Sequence, residues 1–140
     1  MEFKNRCGYF SKDWWLMYVR KDTKLYKTMG TVFEQYGIAV SILNRKLIFL
    51  DYDEVKDLTE NHILAIEAHE LGHYIAHHSG KEVMKEDEIQ ADAIGIQLLL
   101  NNDLKESAQL LIDRLEDMGV PYKTYKLSIN TLEELKQYIK

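Results

Sequence analysis

Two histidines, His69 and His73, stand four residues apart with Glu70 directly after the first, inside the run Ala-Ile-Glu-Ala-His-Glu-Leu-Gly-His-Tyr at residues 65–74. On a helix of 3.6 residues per turn, positions four apart are rotated by only about 40°, so both imidazoles leave the same face one turn apart. That face can hold one metal ion. Glu70 is badly placed to be a third ligand, but its carboxylate can reach a water in the metal's open position. A catalytic tetrahedral site takes three protein ligands, so a third is sought downstream. There Glu88 and Asp92, again four apart, share a face of an apolar segment of helical character at residues 88–100. Glu88 can supply the third ligand oxygen. Asp92, one turn on, can accept a hydrogen bond from the far ring nitrogen of a ligating histidine and fix its tautomer. Gly95 continues that face, where a missing side chain lets two helices approach closely.

The pattern His69-Glu70-x-x-His73 is the zinc-peptidase signature. With Glu-x-x-Ala-Asp at 88–92 on a second helix, the chain resembles the gluzincin metallopeptidases, especially the HtpX-type and CAAX prenyl endopeptidases and their small soluble relatives, the minigluzincins. Leu58-Thr59-Glu60 ahead of the histidines, and Ala91-Asp92-Ala93 followed by leucines, extend the likeness over about residues 38–118. ImmA/IrrE-type peptidases of mobile elements and phages share the His-Glu-Leu-Gly-His-Tyr string and a following glutamate helix, and are a close second relative. Their loop between the two helices tends to be longer than the fourteen residues between His73 and Glu88 here, which favours the first family.

The resemblance implies an α+β, mainly helical zincin-like domain, with a small antiparallel sheet from a hairpin at 38–50 beside the active-site helix. It implies zinc held by His69, His73 and Glu88, with Asp92 orienting a histidine. Glu70 would act as general base, taking the proton of a metal-acidified water and returning it to the leaving amine, so that a peptide bond is hydrolysed. An exposed edge strand beside the helix would take up an extended substrate by main-chain hydrogen bonds. The substrate is then a protein or peptide, and the ImmA/IrrE likeness suggests a specific regulatory protein such as a repressor. HtpX-type enzymes carry a His-Pro-Ser-like element and an arginine ahead of the terminal helix. This chain has Lys-Leu-Ser-Ile-Asn at 126–130 and no arginine after Arg114. Tyr122, Tyr125 and Tyr74 remain as candidate donors to the oxyanion. A second reading is therefore a catalytically weak or inactive domain whose zinc is a structural clamp and whose surface binds a regulatory protein. A third, a helical interaction module with no metal, requires both motifs to be accidents.

Composition narrows the classes. A length of 140 residues suits one domain spanning 1–140. The formal net charge of −5, with no block of Lys and Arg, argues against a nucleic-acid surface. Cys7 is the single cysteine, so no intrachain disulfide forms and a reducing compartment is expected, with the thiol structural rather than reactive. The first residues lack the apolar core of a signal peptide, and no run approaches the roughly 18 apolar residues of a membrane span. The expectation is a soluble, cytoplasmic protein.

Other elements follow from periodicity. Tyr18, Leu25, Met29, Val32, Phe33 and Tyr36 recur at helical spacing, predicting one long helix or two short ones over 11–36, with Ser11 or Asp22 as caps and Gly37 as stop. Trp14 and Trp15 read as packing residues, with an aromatic substrate patch as the sharper alternative. Apolar runs at 38–43 and 46–50 predict a hairpin with Asn44 at the turn. Thr59 caps a helix to about His78 that Gly80 ends, with His62 and His77 outside the ligand set. Residues 103–106 have capping-box spacing and open a helix with Ala108, Leu111, Ile112 and Leu115 on one stripe, stopped by Gly119 and Pro121. Residues 122–128 read as extended. Thr131 opens a terminal helix docked by Leu132, Leu135, Tyr138 and Ile139.

Overall fold

The structure, a computed structural model, describes residues 5–29, 37–42, 45–77 and 84–139, with backbone alone at 28–29, 37–42 and 45. Its elements are strands β1 (Arg6–Cys7) and β2 (Trp14–Val19), helix α1 (Lys24–Met29), strands β3 (Gly37–Ile42) and β4 (Arg45–Asp51), and helices α2 (Tyr52–Val55), α3 (Glu60–Ile75), α4 (Lys85–Asn101), α5 (Lys105–Asp117) and α6 (Ile129–Leu135). The fold is α+β and mainly helical. No helix among the described residues is long and apolar enough to cross a membrane.

The sheet is larger than a hairpin and is mixed. Its strand order is β1-β2-β4-β3, with β2 parallel to β4 and the other two pairs antiparallel. The helix expected over 11–36 is therefore wrong in its first half. Residues Trp14–Val19 run Trp-Trp-Leu-Met-Tyr-Val, a string of aromatic and branched residues suited to a pleated surface. Trp14, Leu16 and Val19 are buried while Trp15 is 46 % exposed, which is strand alternation at its start rather than a helical stripe. Only Lys24–Met29 is helical, and Val32, Phe33 and Tyr36 lie outside the described residues. The hairpin is present, with Ile42 paired to Arg45, so the connecting residues are 43–44 rather than a turn on Asn44-Arg45; Asn44 itself lies outside the described residues. β3 stands at the end of the strand order and packs beside α3.

Local chemistry explains the helix ends that position the site. Thr59 has extended backbone and its hydroxyl accepts from the His62 N–H, so α3 starts where the cap rule puts it. It ends at Ile75, with Ala76 as cap and His77 in the left-handed region at φ 60°; His78 and Gly80 lie outside the described residues. α4 opens on three acids, Glu86, Asp87 and Glu88, which complement the positive end of the helix dipole, and the Asp87 carboxylate accepts from the Met84 N–H at 2.9 Å. The expected capping box at 103–106 does not form: Asp103 adopts φ 60°, and Leu104 takes the cap position without a side-chain bond. Residues 51–57 contain α2, capped by the Asp51 carboxylate. Tyr122–Thr124 is a short 3-10 turn rather than extended. Ser128, not Thr131, is the cap of α6, so that helix starts earlier, and of its four expected docking residues Leu135 and Tyr138 are buried while Leu132 and Ile139 are exposed.

One cluster of buried residues joins these pieces. Trp14, Leu16, Ile48 and Leu50 from the sheet meet Ile63, Leu71 and Ile75 of α3, Ile94 and Leu98 of α4, and Leu111 and Leu115 of α5. Cys7, expected as a packed thiol, is instead exposed on β1.

Candidate metal centre

α3 and α4 pack so closely that Gly72 has no room for a side chain and Gly95 little. A Cβ on Gly72 would collide with the Ala91 carbonyl oxygen, closer than real Cβ atoms come to anything, and one on Gly95 would stand 3.2 Å from the Ala68 carbonyl and 2.8 Å from a Leu111 methyl. The backbones of the two helices therefore touch at a residue that separates the two halves of the histidine pair. This brings the first turn of α4 within reach of both imidazoles.

His69, Glu70, His73, Glu88 and Asp92 come together there. The His69 and His73 Nε2 atoms are 3.0 Å apart, Glu88 Oε2 is 3.1 Å from His69 Nε2, and Glu88 Oε1 is 3.2 Å from His73 Nε2. Asp92 Oδ1 lies 2.6 Å from His69 Nδ1. Glu70 Oε1 is 3.9 Å from His69 Nε2, beside the cluster, and the donor atoms of His69, Glu70 and His73 all lie within 4.8 Å of one another. His69, Glu70, His73 and Asp92 are buried.

The donor set fits a small divalent cation. A carboxylate only accepts, so His69 Nδ1 donates to Asp92, and in the neutral ring this leaves the Nε2 lone pair directed at His73 Nε2 and Glu88. Acceptor atoms converging at this range repel unless a positive charge sits among them. A tetrahedral ion bonded at about 2.0–2.1 Å sets its donors roughly 3.3 Å apart, close to the three separations seen. Three carboxyl groups, those of Glu70, Glu88 and Asp92, stand at the cluster beside one guanidinium, that of Arg114.

Arg114 was not anticipated. From α5 its guanidinium NH2 donates to Glu88 Oε2 at 2.8 Å, and its Nε stands 3.4 Å from Asp92 Oδ2, an ion-pair separation at which Oδ2 gains no hydrogen bond. The available signal was a charge placed three and four residues after Leu111 and Leu110, on a stripe otherwise apolar. Arg114 also lines a pocket of about 380 Å³ that reaches His69, Glu70 and Glu88 and has Leu58, Ile66, Leu110 and Leu111 for apolar walls.

The remaining candidates fall elsewhere. His62 borders the pocket, but its Nδ1 lies 2.7 Å from the Thr59 hydroxyl and it is not part of the cluster. Tyr122 donates to the Gln97 side chain at 3.0 Å, nine positions along α4 from Glu88, and burial holds its hydroxyl pKa above the ordinary range. Tyr74 packs edge-on against Trp14 with ring centres 4.8 Å apart, and the Lys46 ammonium sits 5.5 Å from its centre on the same ring. Tyr74 and Trp14 thus belong to packing, and neither Tyr122 nor Tyr125 borders the pocket. On the other side of α3 the buried carboxylate of Glu67 accepts from the Phe10 N–H at 3.1 Å, tying the residues before β2 to the helix that carries the histidines.

Comparison of the chain with protein-family models, with curated proteins and with solved structures finds no match.

Proposed function

We propose that the chain is a zinc-dependent endopeptidase of the gluzincin kind, hydrolysing peptide bonds of a protein or peptide substrate. The observation that carries this reading is the convergence of His69 Nε2, His73 Nε2 and the Glu88 carboxylate beside the Glu70 carboxylate, at the edge of a pocket. His69, His73 and Glu88 hold the metal. When bound, zinc polarises a carbonyl and brings the pKa of a coordinated water toward about 7. Asp92 keeps the His69 ring in the tautomer whose Nε2 points into the cluster. Glu70, buried and next to that nitrogen, takes the water's proton and delivers it to the leaving amine. The strand β3, at the end of the strand order and alongside α3, is the surface on which an extended substrate adds main-chain hydrogen bonds. A regulatory protein in the cytoplasm suits both the single cysteine and the ImmA/IrrE likeness.

A second reading keeps the metal and drops the chemistry. It is favoured by the commitment of Tyr122 to Gln97 and of Tyr74 to Trp14, which removes two candidate donors to an oxyanion. Under it the site is a structural clamp in a protein-binding module.

One experiment separates the two. Purified protein is analysed for zinc beside its Glu88→Ala and Glu70→Gln variants, and all three are incubated with an unstructured polypeptide. About one zinc per chain, lost in Glu88→Ala and kept in Glu70→Gln, supports the site. Cleavage falling about 10²–10⁴-fold in Glu70→Gln identifies the base. Wild-type protein with zinc bound that cleaves nothing across a broad peptide library leaves the clamp, and wild-type protein without zinc removes both.

A further inference from the structure

We infer that Arg114 sets how Glu88 binds the metal: it occupies one carboxylate oxygen, so that the ion takes the other and water is its fourth ligand rather than its fifth. The inference rests on the metal centre proposed above and concerns its coordination number.

A carboxylate facing an ion can offer one oxygen or two. With two histidines, a two-oxygen glutamate fills four positions with protein atoms and leaves a water as the fifth; a one-oxygen glutamate fills three and makes the water the fourth. In this chain the choice is biased from outside the cluster. The Arg114 NH2 group stands 2.8 Å from Glu88 Oε2, the length of a charge-assisted hydrogen bond, and it is the cation closest to that oxygen among the described residues. The guanidinium is held by more than Glu88, since its Nε faces Asp92 Oδ2 at 3.4 Å and its backbone lies in the last turn of α5, with Leu111 and Leu115 buried on either side. It therefore stands against both Glu88 and Asp92 of α4. Both oxygens face a histidine, Oε2 at 3.1 Å from His69 Nε2 and Oε1 at 3.2 Å from His73 Nε2, but an ion drawing on Oε2 has to share that oxygen with a positive charge at hydrogen-bond distance. A lysine could supply the charge but not the flat fork that spans Glu88 and Asp92.

Arg114 is thus a positioning residue, acting on the metal through Glu88. Its removal should not weaken metal binding by loss of a ligand. It takes away a competing charge and frees the second oxygen.

The test replaces zinc with cobalt(II), whose visible absorption is intense when four-coordinate and weaker when five-coordinate, and compares wild type with Arg114→Met and Arg114→Lys. Circular dichroism confirms folding, and Arg114→Gln substitutes for any variant that fails to fold. The expected result is a loss of visible absorbance in Arg114→Met with cobalt affinity unchanged or tighter, and an intermediate spectrum in Arg114→Lys. A spectrum identical to wild type in Arg114→Met, or a wild-type spectrum bound more weakly, overturns the role of Arg114 while the metal centre stands. A wild-type protein that takes up neither cobalt nor zinc overturns the centre and this inference with it.

Discussion

Of the helical neighbours of α4, which are α3, α5 and the C-terminal α6, the first and the last meet it in different ways. Against α3 it packs backbone to backbone through Gly72 and Gly95, with the acids Asp92 and Glu88 turned inward among histidines and an arginine. Against the C-terminal segment it is met by Leu135 and Tyr138 and by the Asn102 side chain, which donates to the Tyr138 carbonyl at 3.2 Å, while Ile129 of α6 stays 78 % exposed and Leu132 41 %. Under the proposed metal centre the donor atoms would tolerate errors of only a few tenths of an ångström, which suits the first contact, built on backbone. The second only has to cover the end of a core. The contrast teaches that close packing here follows the chemistry rather than the amount of apolar surface.

Three variants bear on that contrast, in addition to those at Glu70, Glu88 and Arg114. The largest effect is expected from Gly72→Ala, because the added methyl meets backbone that cannot rotate away. Forcing α4 outward should cost about 3 kcal/mol and lower bound zinc well below one per chain. A thermal melt and metal analysis read both, and a variant as stable and as zinc-loaded as wild type would show that the two helices are not held by this contact. Next comes Asp92→Ala, which removes the acceptor of the His69 Nδ1 proton but no metal ligand. Zinc affinity should weaken by about 10–100-fold without disappearing, measured by competition with a chromophoric chelator. Total loss would promote Asp92 to a ligand, and no change would strip it of its orienting role. The smallest effect is expected at the other contact, where Ile129→Ser and Leu132→Ser together should shift stability by about 0.5 kcal/mol or less and leave zinc content alone. A drop of several kcal/mol in denaturant melts would mean that α6 is as tightly specified as α3, and the contrast would collapse.

That five residues gather in one place was legible in the sequence, and much of the frame around them was not. His69, Glu70, His73, Glu88 and Asp92 could be read because they repeat at helical spacing and because metal chemistry restricts which residue types can stand there. Thr59 was legible as a cap for the same reason of local chemistry, and Gly95 as a point of close approach. Arg114 escaped because its partners, Glu88 and Asp92, are brought near by the packing of α5 on α4, and nothing in its own neighbourhood of sequence states that. Trp14–Val19 was misread because three of its six residues are aromatic and none of its flanks carries a turn dipeptide, so helical and strand spacing could not be told apart in so short a run. Its parallel pairing with β4 is non-local and leaves no periodic mark. Asp103 had the residue type of a cap but a left-handed backbone, a choice set by how α5 folds back on α4 rather than by its side chain.

The spacer between the histidines acquires a meaning that the metal does not give it. Viewed as coordination chemistry, Leu71 and Gly72 only set the distance from one imidazole to the next, and any two helix formers would serve. In this molecule Leu71 is fully buried and Gly72 lies against the backbone of the neighbouring helix, so neither position is blank. Anyone transplanting the proposed centre onto another scaffold would find His69, Glu70, His73 and Glu88 insufficient by themselves. The graft would also need a host helix that crosses at the glycine, since that crossing is what delivers the glutamate from a different stretch of chain.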